Sequence, residues 1–335
     1  MTEQDTPQET QTLTGKALTR RLIAGLIFGF LVVLALALVG DLKQVGAQVL
    51  AFRWELFPIV IAFTLLNYFL RFLKWHFYLG EIGVTNLSYR ESARLFVAGF
   101  PLAVTPGKVG EALKGVWLKQ KTGVAVAKGI SVVLAERISD GMAVILLATV
   151  GVIAYPQYWP GFAIVFTGLL GVIVVSQIRP LALWLLGIVD RIPLLKRISK
   201  QLHEFYEGSF ALFRPRATLV GVGTGLVSWL GEGIGMYLVL IGLGVPAGWK
   251  TLSIAIFVLS FSTVIGAVSA LPGGLGAAEA SITGMLVLLL DIQTDTAAAA
   301  TLLIRFATLW FAVTLGLIVW AFSRELLGMG NNESE

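Results

Sequence analysis

The chain has 335 residues, 56% hydrophobic and only 13% charged, with a mean hydropathy of +0.84, far too little charge to cover a soluble globule of this length; it reads as an integral membrane protein. The absence of cysteine excludes disulfides, thiolate metal sites and a cysteine nucleophile, and His76 and His203 alone cannot supply an imidazole cluster, so neither a metal nor a cofactor is expected. The net charge of +5 is dispersed rather than gathered on a recognition fold, which points to membrane topology and lipid contact and away from nucleic acid.

Residues 1–15 are polar and acidic and read as a disordered tail. Lys16, Arg20 and Arg21 precede an apolar run from Leu22 to Val39, about 18 residues, long enough for an uncleaved anchor helix. Further apolar segments fall at 55–79, 126–154, 158–178, 217–243 and 298–322. The connector 190–216 carries Arg191, Lys196, Arg197, Lys200, Arg214 and Arg216, and its spacing of Ile198, Leu202, Phe205 and Phe210 predicts an amphipathic helix lying on the membrane surface. The positive-inside rule places this loop and both termini in the cytoplasm. Trp54, Trp159, Trp249 and Trp320 fall near span ends, where indoles anchor to the interface. A polar tail, 326–335, closes the chain.

One module occurs twice. Pro106-Gly107-Lys108-Val109-Gly110-Glu111 precedes an apolar segment bearing Arg137, and Pro272-Gly273-Gly274-Leu275-Gly276 with Glu279 precedes one bearing Arg305. The Pro-to-Arg separations are 137 − 106 = 31 and 305 − 272 = 33. Between basic clusters, residues 88–120 have an apolar middle broken at Thr105-Pro106-Gly107, and each limb has only about 15 residues where a span needs about 20. A re-entrant hairpin fits. The second copy, with limbs 251–271 and 274–290, enters from the opposite face when spans are counted from the basic connector, giving repeat modules 88–154 and 251–322 related by an axis in the membrane plane. The expected fold is therefore an all-α polytopic membrane protein with one transmembrane domain over 16–325, having about six spans plus two inverted Pro-Gly re-entrant hairpins. Eight spans result if the second pair crosses fully.

A half-helix starting in mid-membrane presents backbone amides and a positive dipole end to an anion, so Gly107, Gly110, Gly273, Gly274 and Gly276 are candidates to line an anion site, with Lys108 beside them. Glycine equally serves close helix packing. Arg137 lies about 14 Å along its helix from Lys128, and Arg305 about 15 Å from Asp295, so both reach the bilayer middle. Facing lipid there would cost roughly 2.5–3.5 kcal/mol, so each must meet protein, water or ligand. Glu111, Glu136, Asp140 and Glu279 are either lasting partners of these arginines or yield them to an anionic ligand. Glu232 is a further acid within an apolar segment, suited to coupling, to a headgroup or to a neighbouring helix, and Asn67, Arg71 and Lys74 are placed to guide headgroups in from the cytoplasmic surface or simply to snorkel.

In their order, Arg71, Lys74-Trp75, the Thr105–Glu111 motif with Lys114, Glu136-Arg137 with Asp140, and Leu271–Gly276 with Glu279 and Arg305 resemble the lysylphosphatidylglycerol synthase transmembrane family over about residues 20–325. The resemblance implies a flippase-like protein of the bacterial plasma membrane. Its substrate would be a phospholipid with an anionic or aminoacylated headgroup, or a polyprenyl-linked lipid. The synthase's soluble aminoacyl-transferase domain has no counterpart here, so lipid synthesis is not carried over and no enzymatic activity is expected. Lys114 stands where the family often has arginine, keeping the charge without the planar fork. A homo-oligomer is compatible with the chain. Two other classes are an embedded lipid-modifying enzyme, with Glu111 or Glu136 as general base, and a non-transporting lipid sensor docked through 190–216.

Overall fold

A computed structural model describes residues 23, 24, 27, 29, 31, 41–105, 110–152, 159–191 and 198–323. The two polar tails, most of the first apolar segment, and the residues Pro106, Gly107, Lys108 and Val109 lie outside these. Every regular element among the described residues is helical, and six segments are long and apolar enough to cross a membrane: Trp54–Glu81, Trp159–Gln177, Pro215–Gly242, Trp249–Val268, Pro272–Leu290 and Thr294–Phe322. The chain is an all-α, multi-pass membrane protein. Val126–Val152, at 27 residues, is about 40 Å long and also sufficient by length; the charges Lys128, Glu136, Arg137 and Asp140 set it apart from the others.

After α1 (Leu42–Ala51), α2 (Phe57–Glu81) opens with proline in its first turn, where no amide is lost. The first Pro-Gly module follows. Ser88 and Glu91 form a capping box that starts α3 (Tyr89–Ala98), a 3-10 turn covers Phe100–Val104, and α4 (Leu113–Thr122) ends at Gly123, whose φ of 77° suits glycine. With ten residues each, α3 and α4 extend about 15 Å, half of a hydrocarbon core. The chain then runs through α5 (Val126–Val152), α6 (Trp159–Gln177), α7 (Arg179–Arg191), α8 (Ser199–Leu212) and α9 (Pro215–Gly242).

Helices α2 and α9 pack antiparallel along a glycine-bearing face. A β-carbon on Gly235 would meet Val60, one on Gly231 would meet Phe63, and one on Gly221 would sit 1.8 Å from the Tyr78 hydroxyl. Such approach gains dispersion contacts that leucine-lined surfaces gain nothing from, since lipid is as apolar as leucine. The predicted surface helix is found at α8 with a different partner. It packs along α5, with Tyr206, Gly208, Ser209 and Leu212 buried and Gly208 close against Ser131, so its inner face covers protein.

The second module is a longer hairpin of α10 (Trp249–Val268) and α11 (Ala277–Leu290), joined by a turn at Pro272–Gly274 in which Gly273, Gly274 and Gly276 all have positive φ. The chain continues through α12 (Thr294–Arg305), a π-helical stretch Phe306–Trp310 and α13 (Phe311–Phe322) as one 29-residue rod. The tip of the second hairpin meets the end of the first hairpin's incoming limb, because a β-carbon on Gly273 would sit 3.3 Å from Val104. The first hairpin is also clamped to α13: the Trp320 indole donates to the Ala98 carbonyl at 2.7 Å, and Gly316 abuts Pro101.

Candidate functional site: a charged cavity where the hairpin tips meet

Arg137 stands eleven positions after the start of α5 (137 − 126), and Arg305 eleven after the start of α12 (305 − 294). Each is paired with a glutamate 26 residues earlier. The Arg137 Nε donates to Glu111 at 3.0 Å, and the Arg305 Nε donates to Glu279. The equal spacing follows from equal construction: a breaker starts a short helical segment bearing the acid, and the next long helix passes that segment with its guanidinium at the same height. Both acids are about 4% exposed and sit in low dielectric, where an unpaired carboxylate would cost several kcal/mol.

Between the tips lies a cavity of about 170 Å³. Its charged lining is Arg71, Glu111, Lys114, Arg137, Glu232 and Arg305, and Gly273 contributes backbone. Lys114, 3% exposed, donates to Glu136 at 3.4 Å and lies over the rings of Trp75 and Phe96 at 4.8 and 5.1 Å. Arg71 reaches Asp140 at 3.3 Å and lies 5.9 Å from the Trp229 ring. Lys74, fully buried, donates to the same Asp140 and to Ser139. Of the described carboxylates that line the cavity, Glu232 is the one with neither a hydrogen bond nor an ion pair. Arg71 and Lys74 therefore do not snorkel to a surface; they are held at depth by Asp140.

The expected residues separate into three groups. Arg71, Glu111, Lys114, Arg137, Glu232, Gly273 and Arg305 are brought together in the wall. Behind it, Glu136, Asp140 and Glu279 hold these cations in place without facing the space, and the buried Lys74 shares Asp140 with Arg71. Asn67 is buried away from the cavity, its amide nitrogen and oxygen both without a hydrogen-bond partner among the described residues, and Gly107 and Lys108 fall outside those residues. The glycine amides behave differently from expectation. The Gly110 N–H donates to the Thr105 hydroxyl at 3.0 Å, the Gly276 N–H to Glu279 at 2.6 Å, and the Gly274 N–H to the Leu271 carbonyl at 2.9 Å. These three donors are already taken, so Gly110, Gly274 and Gly276 serve turn geometry and close approach, and the guanidinium groups remain as anion-seeking groups.

Sequence reasoning missed Tyr68, Phe100, Trp229, Ser262, Thr263 and Thr308, all in the wall. Two signals were present for some of them. Tyr68 precedes Arg71 by three residues and Trp229 precedes Glu232 by three, so each aromatic shares its helix face with a charge. The 26-residue Glu-to-Arg spacing was likewise in plain view.

The family model described as lysylphosphatidylglycerol synthase TM region matches residues 22–316. Two UPF0104 membrane proteins of Methanothermobacter thermautotrophicus are similar to the chain. One is 26% identical over 311 residues, covering 87% of this chain and 91% of the relative; the other is 23% identical over 291 residues, covering 78% and 83%. A UPF0104 membrane protein of Methanocaldococcus jannaschii is 26% identical over 235 residues, 69% of this chain and 97% of the relative. These relatives are archaeal, whereas the motif resemblance alone suggested a bacterial membrane.

Proposed function

The chain belongs to the lysylphosphatidylglycerol synthase transmembrane family, and from that membership and its charged cavity we propose that it moves a phospholipid, or another anionic lipid-linked substrate, between the leaflets of the cell membrane. The observation that carries this reading is the pair of Glu–Arg contacts at mid-helix depth around one cavity where two broken hairpins meet. Both hairpins are read as re-entrant, inserted from opposite faces. The short limbs of the first support this, as does the contact between the tip of the second and Arg305, about 17 Å along its rod. The positive-inside rule, applied to the basic loops, supports a cytoplasmic position for both termini.

The cavity lowers the barrier to headgroup passage by replacing water around the phosphate with guanidinium donors while the acyl chains stay in lipid. Glu111 holds Arg137 through one bond to Nε, and a phosphate can accept from two guanidinium nitrogens with more charge, so exchange of partners rather than exposure of a bare cation accompanies binding. Glu232, which has no hydrogen bond or ion pair among the described residues, is placed to face a positively charged group on an aminoacylated headgroup. A carrier is favoured over a lipid-modifying enzyme because the two acids that would act as general base, Glu111 and Glu136, each have a carboxylate oxygen occupied by a cation.

Purified protein in vesicles containing fluorescent phosphatidylglycerol tests this. Quenching of inner-leaflet label by an impermeant reductant should run roughly tenfold or more faster than in protein-free vesicles, with the lipid mass unchanged. A protein-free rate, or chemically converted lipid, would sink the proposal.

A further inference from the structure

The two modules match in spacing but not in how their arginine is held. Arg305 uses two of its five donors on its own module: Nε to Glu279, and Nη2 to the carbonyl of Gly273 at 3.1 Å. Gly273 is the tip of the second hairpin, at φ 61°, and its carbonyl points back to the rod through this bond. Directly after Arg305 the rod departs from α-helical winding for the five π residues Phe306–Trp310, and the Tyr68 hydroxyl donates to the Thr308 carbonyl there at 2.5 Å. The Arg305 side chain is 16% exposed.

Among the described residues Arg137 has no such second tie. Among the described residues its one hydrogen bond is Nε to Glu111, its side chain is 33% exposed, and α5 winds as an unbroken α-helix through it. Among the described residues neither terminal nitrogen has a hydrogen-bond partner, and the fork that suits a phosphate lines the cavity.

We infer that the two arginines have divided the work of the site: Arg137 takes the anionic group of the lipid, and Arg305 is a positioning residue that ties the tip of the second hairpin to the π-helical part of its rod. The inference rests on reading the cavity as a headgroup passage. It makes the two halves of the inverted repeat unequal, one half offering the ligand contact and the other setting the shape of the wall opposite it.

Lysine substitutions separate the roles, since lysine keeps the charge but cannot bridge two acceptors with a planar fork. Arg137→Lys should reduce retention of phosphatidylglycerol on the detergent-purified protein, counted by native mass spectrometry, by roughly tenfold. In vesicles it should raise the lipid concentration giving half-maximal transport. Arg305→Lys should keep retention within about twofold, lower the maximal rate, and accelerate hydrogen exchange of residues 272–276 by roughly fivefold or more. Glu279→Gln, close to isosteric, should reproduce that exchange if Arg305→Lys folds poorly. Unchanged retention in Arg137→Lys, or equal loss of retention in both arginine variants with no change in exchange at the tip, overturns the inference. The retention and exchange measurements need no transport, so a wild-type protein that moved no lipid would defeat the functional reading while these still decided the division of roles.

Discussion

Replacing Asp140 with alanine should lower the free energy of unfolding by about 3–5 kcal/mol, the usual cost of stranding buried charge. Asp140 is 5% exposed and faces both Arg71 and the fully buried Lys74, so its loss leaves two cations competing for neutral partners inside the helix bundle. Among the described residues Lys74 then keeps the Ser139 hydroxyl, and Arg71 keeps its place in the cavity wall. The substitution Asp140→Asn keeps the shape and removes the charge, and should recover little of the loss because the cost is electrostatic. Adding Lys74→Met to Asp140→Ala should recover part of it, since it removes the deeper of the stranded cations. Denaturant titration in mixed micelles, followed by tryptophan fluorescence, measures these differences. A loss below about 1 kcal/mol for Asp140→Ala would mean that the two cations have access to water or to other acids.

The second large effect belongs to backbone geometry. Gly274 has φ 68°, and a β-carbon there would stand 2.8 Å from the Gly266 Cα and 3.1 Å from its carbonyl oxygen. Both neighbours are main chain and cannot rotate away. Gly274→Ala should therefore combine a strained left-handed residue with separation of α10 from α11, for a total of about 3 kcal/mol. Gly266→Ala approaches the same contact from the helical side, where φ is unstrained and the nearest atom, the Ala278 Cβ, is 3.2 Å away, so it should cost about 1 kcal/mol. The same unfolding titration ranks the two. Equal losses would show that left-handed strain at the tip contributes nothing.

The sequence made the class of molecule, the bounds of the long helices and the doubled break legible, because span length and proline-glycine breaks are local properties. Val126–Val152 and Pro215–Gly242 fall within a few residues of the apolar segments that announce them. Partner choice was not legible, for a physical reason. In water an apolar face marks what packs inward; in a bilayer the lipid-facing and protein-facing sides are equally apolar, so periodicity no longer says which side meets which helix. Tyr68 and Trp229 escaped for that reason, as did the packing of α8 on α5 through Tyr206, Gly208, Ser209 and Leu212, which the spacing of Ile198, Leu202, Phe205 and Phe210 did not announce. The charges fared better, since an ion at depth must be paired, yet sequence alone could not assign Lys114 to Glu136 or Asp140 to both Arg71 and Lys74. The glycine amides misled because nearby acceptors had already claimed them: a threonine hydroxyl for Gly110 and a glutamate one turn into the following helix for Gly276.

Because the chain lacks cysteine, a single introduced thiol can report on the cavity directly. Ala103 and Thr263 line it from the first and second hairpins, while Ala148 is fully buried in α5 away from it. In sealed vesicles, Ala103→Cys and Thr263→Cys should react with a membrane-impermeant, water-soluble thiol reagent supplied to either face in turn, at least about tenfold faster than Ala148→Cys, and added phosphatidylglycerol should slow both. A water-lined passage open alternately to the two sides predicts that result. Labelling of the cavity thiols no faster than the buried control, or from one face only and indifferent to lipid, would contradict it.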